Sequence, residues 1–105
     1  MIKDFPLDAE PTFKAKAEIP VPGKKPVKIE FTFRHRDSDE FKALMERLGD
    51  YENDTVLVMD VACGWELAEP FDAEHVGKLV RNYLGSARAI AEKYFEQNAG
   101  ARLGN

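Results

Sequence analysis

Cysteine is nearly missing from this chain. Cys63 stands alone, so no disulfide can form within it. One Cys with two His also falls short of a four-ligand zinc site. A free Cys in an apolar stretch behaves as a small hydrophobe, and Cys63 is expected to be buried. There is no basic excess either. Lys and Arg number 15 against 19 Asp and Glu, a net charge of −4, where a nucleic-acid module usually carries a basic footprint. No basic-then-apolar signal opens the sequence, and no apolar run approaches the ~18 residues of a membrane span. The expectation is a cytoplasmic protein with neither nucleic acid nor membrane as partner.

Catalytic and ligand-binding patterns are missing as well. His35 and His75 have no metal-ligand spacing between them. His35 lies between Arg34 and Arg36 at a strand end, and His75 falls in the first turn of a helix, where a cation is slightly unfavourable. Asp50, Glu52 and Asp54 alternate like part of a calcium loop. They lack the glycine at the sixth position and the glutamate at the twelfth. Gly100-Ala101-Arg102-Leu103-Gly104 has no strand before it and no helix after it, so it is no phosphate cradle. A site for chemistry needs ionisable groups that can meet and shift one another. None is apparent, so no enzyme activity, cofactor or metal is expected. Arg34-His35-Arg36 with Lys24 and Lys25 reads as a charged hairpin surface that discourages edge pairing.

What is present is the pattern of a small α+β domain. Hydrophobic residues make up 44% and charged residues 32% of 105 positions, which suits one globular unit with a modest core. Residues 1–11 carry two prolines and mixed charge, and are read as a flexible leader. Over 12–19 the apolar positions are Phe13, Ala15, Ala17 and Ile19. Over 27–34 they are Val27, Ile29, Phe31 and Phe33. Period-two alternation puts one face on a core. The link from Pro20 to Pro26 holds three prolines and Gly23, so the two strands should form an antiparallel hairpin spanning 12–34. A lone hairpin is marginal in water. Its apolar face must therefore lie on a small bundle of about four helices.

The first helix is expected over 38–48. Asp37 and Glu40 make a capping box, Phe41, Leu44, Met45 and Leu48 an amphipathic stripe, and Gly49 the stop. The third, over 73–83, starts at Asp72 with a Phe71/Val76 staple and buries Val76, Leu79, Val80 and Tyr83. The fourth, over 86–97, carries Ala87, Ile90, Ala91 and Tyr94 on one face. Residues 98–105 are read as a fraying tail. The segment Thr55–Cys63 is ambiguous: its β-branched residues favour a strand, while Asn53 as a cap and Gly64 as a stop favour a buried helix over 54–63. Trp65 just beyond is either a core plug with its indole N–H bonded nearby or a partner anchor.

Four segments together resemble the phage tail assembly chaperones of long-tailed phages and prophages of Gram-negative bacteria. They are Phe31-Thr32-Phe33-Arg34-His35-Arg36 at the end of the hairpin, and Val61-Ala62-Cys63-Gly64-Trp65-Glu66-Leu67. The third runs from Phe71-Asp72-Ala73-Glu74-His75-Val76 to Asn82-Tyr83. The last is Gly85-Ser86-Ala87-Arg88-Ala89-Ile90 with the Ala101-Arg102-Leu103-Gly104-Asn105 ending. Leu84 departs from the pattern, which leads one to expect proline before the glycine, and this bears on the turn between the helices. The resemblance also tilts residues 54–63 towards helix.

The resemblance implies a non-catalytic assembly factor of the host cytoplasm. Such a protein would bind the tape measure protein until the tail tube polymerises and be absent from the finished virion. Its further expected partners are its own frameshifted longer form, the tail tube protein and copies of itself. Trp65, Leu67, Phe71, Tyr83, Tyr94 and Phe95 are the candidate contact residues; Phe95 stands off its helix's apolar stripe, and some of these aromatics are expected to fill the core instead. The alternative is a structural virion component, such as a minor tail or head–tail connector protein.

Overall fold

A computed structural model describes residues 3–100. The Ala101–Asn105 ending, with the last part of the expected tail, and the first two residues of the expected leader lie outside the described residues. Two strands come first, β1 (Thr12–Ile19) and β2 (Val27–Arg34). They pair antiparallel with Phe13 opposite Phe33, Ala15 opposite Phe31 and Ala17 opposite Ile29, so the alternating apolar residues share one face. The turn between them needs its glycine. Val21-Pro22-Gly23-Lys24 closes with the Lys24 N–H donating to the Val21 carbonyl, and Gly23 has φ 75°. That is a type II turn, with proline presetting its second position and glycine taking the left-handed third.

Helix α1 (Ser38–Glu46) opens on the expected reciprocal cap. Asp37 accepts from the Glu40 backbone, and the Glu40 side chain accepts from the Asp37 backbone. It stops two residues early. Arg47 ends it, and Leu48–Asp50 make a short 3-10 turn in which Gly49 keeps an ordinary backbone rather than a left-handed stop. The ambiguous segment turns out to contain both elements. Helix α2 (Asp54–Val61) is capped by Asn53, and the chain then goes straight into a short strand, β3 (Ala62–Trp65). The expected helix 54–63 is therefore two residues too long. The backbone turns extended at Ala62 and pairs antiparallel with β2, making the sheet order β1-β2-β3.

A bulge in β3 places Cys63 on the surface. Thr32 lies opposite Gly64 and Phe33 opposite Ala62, so Cys63 is the extra residue on β3. Ala62 is thereby buried against the core and Cys63 is exposed. This corrects the expectation of a buried thiol, because alternation fails at a bulge.

Helices α3 (Ala73–Asn82) and α4 (Ser86–Ala99) complete the domain. Asp72 caps α3 through the His75 N–H, as expected. α4 runs two residues beyond its expected end and finishes at Gly100 with φ 70°. Asn98, placed in the fraying tail by sequence, instead exchanges two hydrogen bonds with the Arg36 backbone, at 3.0 and 3.1 Å. α4 lies against β1 of the sheet, and α2 packs against α4, α3 and the β2–β3 part of the sheet. The core between these layers is Ala17, Ile19, Phe31, Phe33, Leu44, Val58, Val61, Val76, Ile90 and their neighbours.

Candidate partner-binding surface

The six candidate contact residues separate into two groups. Tyr94 is fully buried and Phe95 is 5% exposed. Tyr94 packs against Phe13, Phe33 and Phe41, and Phe95 meets Phe41 edge-on with ring centres 6.0 Å apart. Tyr94 is core, and Phe95 shows only an edge at the surface. α4 is covered by the sheet on one side and by helices on the other, so its buried arc is wider than one stripe. Phe95 falls inside that arc although it stands off the Ala87–Ile90–Ala91–Tyr94 line.

Trp65, Leu67, Phe71 and Tyr83 are half-buried. Trp65 is the outer end of a run of rings leading from Tyr94 through Phe33 and Phe31. Phe71 meets it edge-on at 5.1 Å, and its indole N–H donates to the Glu69 carbonyl at 2.8 Å. Both readings of Trp65 have a physical basis here: its inner edge packs on Phe31 and its polar atom is satisfied, while its outer edge lines a groove. That groove, about 320 Å³, is bordered by Trp65, Leu67, Leu79 and Tyr83, with Glu69, His75, Lys78 and Asn82 also lining it. An aromatic fixed by packing and by one hydrogen bond loses little side-chain freedom when something docks on it.

Around the α3–α4 corner lies a second groove of about 410 Å³, lined by Leu57, Leu84, Ala87, Ala91 and Phe95 with Asp54, Arg88 and Glu92. Leu84 is 88% exposed. The residue that departs from the family pattern is thus among the most solvent-exposed large apolar side chains described.

Sequence reasoning missed a polar cluster away from these grooves' linings. Arg36, read as part of a surface basic run, has a side chain only 11% exposed. Its guanidinium donates to the Tyr94 hydroxyl at 3.1 Å, and to the carbonyl and carboxylate of Asp60 at 2.9 and 2.7 Å. Arg47 and the Tyr51 hydroxyl donate to the other carboxylate oxygen of Asp60. Burial raises the Asp60 carboxyl, but bonds from Tyr51 and Arg47 and the charges of Arg36 and Arg47 outweigh it and hold it below its ordinary range. Burial pushes the Tyr94 and Tyr51 hydroxyls up. The signal in the sequence was Asp60 itself, one charge inside an apolar helix, since a charge there must be paired.

His75 is half-buried beside the first groove. Its Nδ1 is 2.7 Å from an Asp72 oxygen that also accepts the His75 N–H. That backbone bond, then the ring contact, holds the Asp72 carboxyl below its usual value. These are the duties of a helix cap. Among the described residues no group of three or more His, Cys, Asp or Glu could hold a metal ion, and no helix is long and apolar enough to cross a membrane.

A family model described as phage tail assembly chaperone matches residues 1–105, the whole chain. The chain belongs to that family, and its general role is that of a chaperone in tail assembly. Comparison with curated proteins and with solved structures finds no match.

Proposed function

We propose that this chain binds the tape measure protein and keeps it soluble until the tail tube polymerises, acting without catalysis in the host cytoplasm and leaving before the virion is complete. The observation that carries the reading is the groove beside Trp65. It sets Leu67, Leu79 and Tyr83 around a fixed indole, with polar groups along the lining. A long helical client exposes an apolar stripe, and a groove of this kind takes a helix's side chains in turn. At about 320 Å³ it holds only a small part of such a stripe, so each unit binds weakly and coverage comes from many copies. The frameshifted longer form and the tail tube protein are its further proposed partners.

The test is co-expression of the tape measure protein with the untagged chain. The client should stay in solution and co-purify. Leu67→Lys, which charges the groove without entering the core, should abolish recovery while leaving the melting temperature unchanged. A tape measure protein that stays soluble alone would remove the need for the activity. Stoichiometric presence of this chain in purified particles would favour the structural virion component instead.

A further inference from the structure

We propose that β1 is a pairing edge, and that two copies of this chain join through it, antiparallel, into one six-stranded sheet. β1 is the outer strand of the order β1-β2-β3, and among the described residues nothing pairs with its free side. It is eight residues long, with no proline and no bulge against β2. Such an edge is a template for another strand unless it is guarded, and here Lys14 and Lys16 are its guards, so only a partner that brings an acidic residue opposite one of them can pair. On the core face Ala17 and Ile19 are already buried, but Phe13 and Ala15 are only partly covered. Beside Ala15 an open groove of about 540 Å³ runs between the edge and α4; Lys14, Lys16 and Glu18 of β1 line it on one side and Glu92, Lys93 and Glu96 of α4 on the other.

The charges along β1 favour a second copy as partner, and charge together with the length of overlap sets the register. Its solvent face reads Lys14, Lys16, Glu18. Pairing must keep core faces together, so only registers centred on a residue are allowed, and a one-residue slip would turn every side chain over. Centred on Lys16, Phe13 meets Ile19 of the partner subunit across seven positions, and Lys14 faces Glu18 of the partner subunit twice by symmetry. Centred on Ala15, Lys14 faces Lys16 of the partner subunit twice, which is repulsive. Centred on Ala17, Lys16 faces Glu18 of the partner subunit twice, so charge does not exclude this register, but the overlap shrinks to five positions and Lys14 is set against a proline with no N–H. The Lys16 register therefore wins. It brings the two Lys16 side chains together on the axis, one like-charge contact that keeps the pairing weak and reversible.

The experiment is sedimentation of the full chain from micromolar to millimolar concentration. A reversible dimer is expected. Lys14→Glu and Glu18→Lys each turn both attractive contacts into repulsive ones, and each should weaken self-association at least tenfold, about 1.4 kcal/mol. Mixed together, the two variants regain opposite charges at both contacts and should associate at least as tightly as the parent. A folding defect would not be cured by mixing. Lys16→Thr should tighten the dimer. A parent that stays monomeric throughout, single variants that self-associate like the parent, or a mixture that fails to associate would each overturn the proposal. None of these readings depends on the client, so they stand or fall apart from the tape measure experiment.

Discussion

Replacing Asp60 by alanine should cost about 2 kcal/mol of stability. The figure comes from the exposure of each partner. Breaking a fully buried ion pair costs roughly 3–5 kcal/mol, because it strands a desolvated charge, whereas an exposed pair contributes roughly 0–1 kcal/mol. Asp60 lies between these limits, its side chain 28% exposed, with Arg47 40% exposed and Arg36 11% exposed. Arg47 can turn to water when the carboxylate goes. Arg36 cannot do so freely, since its guanidinium is held by the Tyr94 hydroxyl and the Asp60 carbonyl. The stranded charge is therefore mainly that of Arg36, and a loss of about 2–3 kcal/mol follows. Alanine returns roughly 0.5 kcal/mol through its better helix propensity in α2. Urea unfolding should show a lower midpoint with an unchanged slope, and melting should fall by roughly 10 °C. A loss under about 0.5 kcal/mol would mean that the cluster behaves as surface pairing, and the argument from Arg36 burial would fail.

The same cluster sets the pH range of the fold. The Asp60 and Asp72 carboxyls sit below their usual values in the folded chain, so the unfolded chain takes up protons first, and stability should drop as pH falls below about 4. The Tyr51 and Tyr94 hydroxyls sit above theirs, so the unfolded chain ionises first and stability should drop as pH rises past about 10. Urea midpoints measured across pH check both limbs, and a maximum outside that window would contradict the pairing. Ser86→Ala should raise stability by about 0.5–1 kcal/mol, because the Ser86 hydroxyl is wholly buried with no hydrogen-bond partner and alanine removes an unmet polar group; calorimetry showing a loss would point to a partner for that hydroxyl.

The features that could be read from the sequence were those written locally. The hairpin follows from two runs of alternating residues and a Pro-Gly turn, and the caps of α1 and α3 follow from residues three apart. The misreadings share the opposite property. Arg36 and Asp60 are 24 positions apart, and nothing near either one says that they meet. The sequence shows Arg36 only as one member of a basic run, and its burial is decided by α2 and α4 closing over it. β3 is four residues long, too short for alternation to register, and its bulge inverted the expected position of Cys63. By sequence Phe95 leaves the apolar stripe of α4 and so reads as a contact, but a helix packed on two sides has no single stripe. The four candidates that stayed at the surface, Trp65, Leu67, Phe71 and Tyr83, lie where α3 and the segment after β3 meet, and α4, which follows, packs mainly on β1 and α2 instead of over them. Core-forming residue types at the rim of a small domain stay only partly covered where the neighbouring elements pack elsewhere. Such a rim is where a client's apolar side chains can gain burial without disturbing the fold, which is why the groove variant is expected to lose the client and keep its melting temperature.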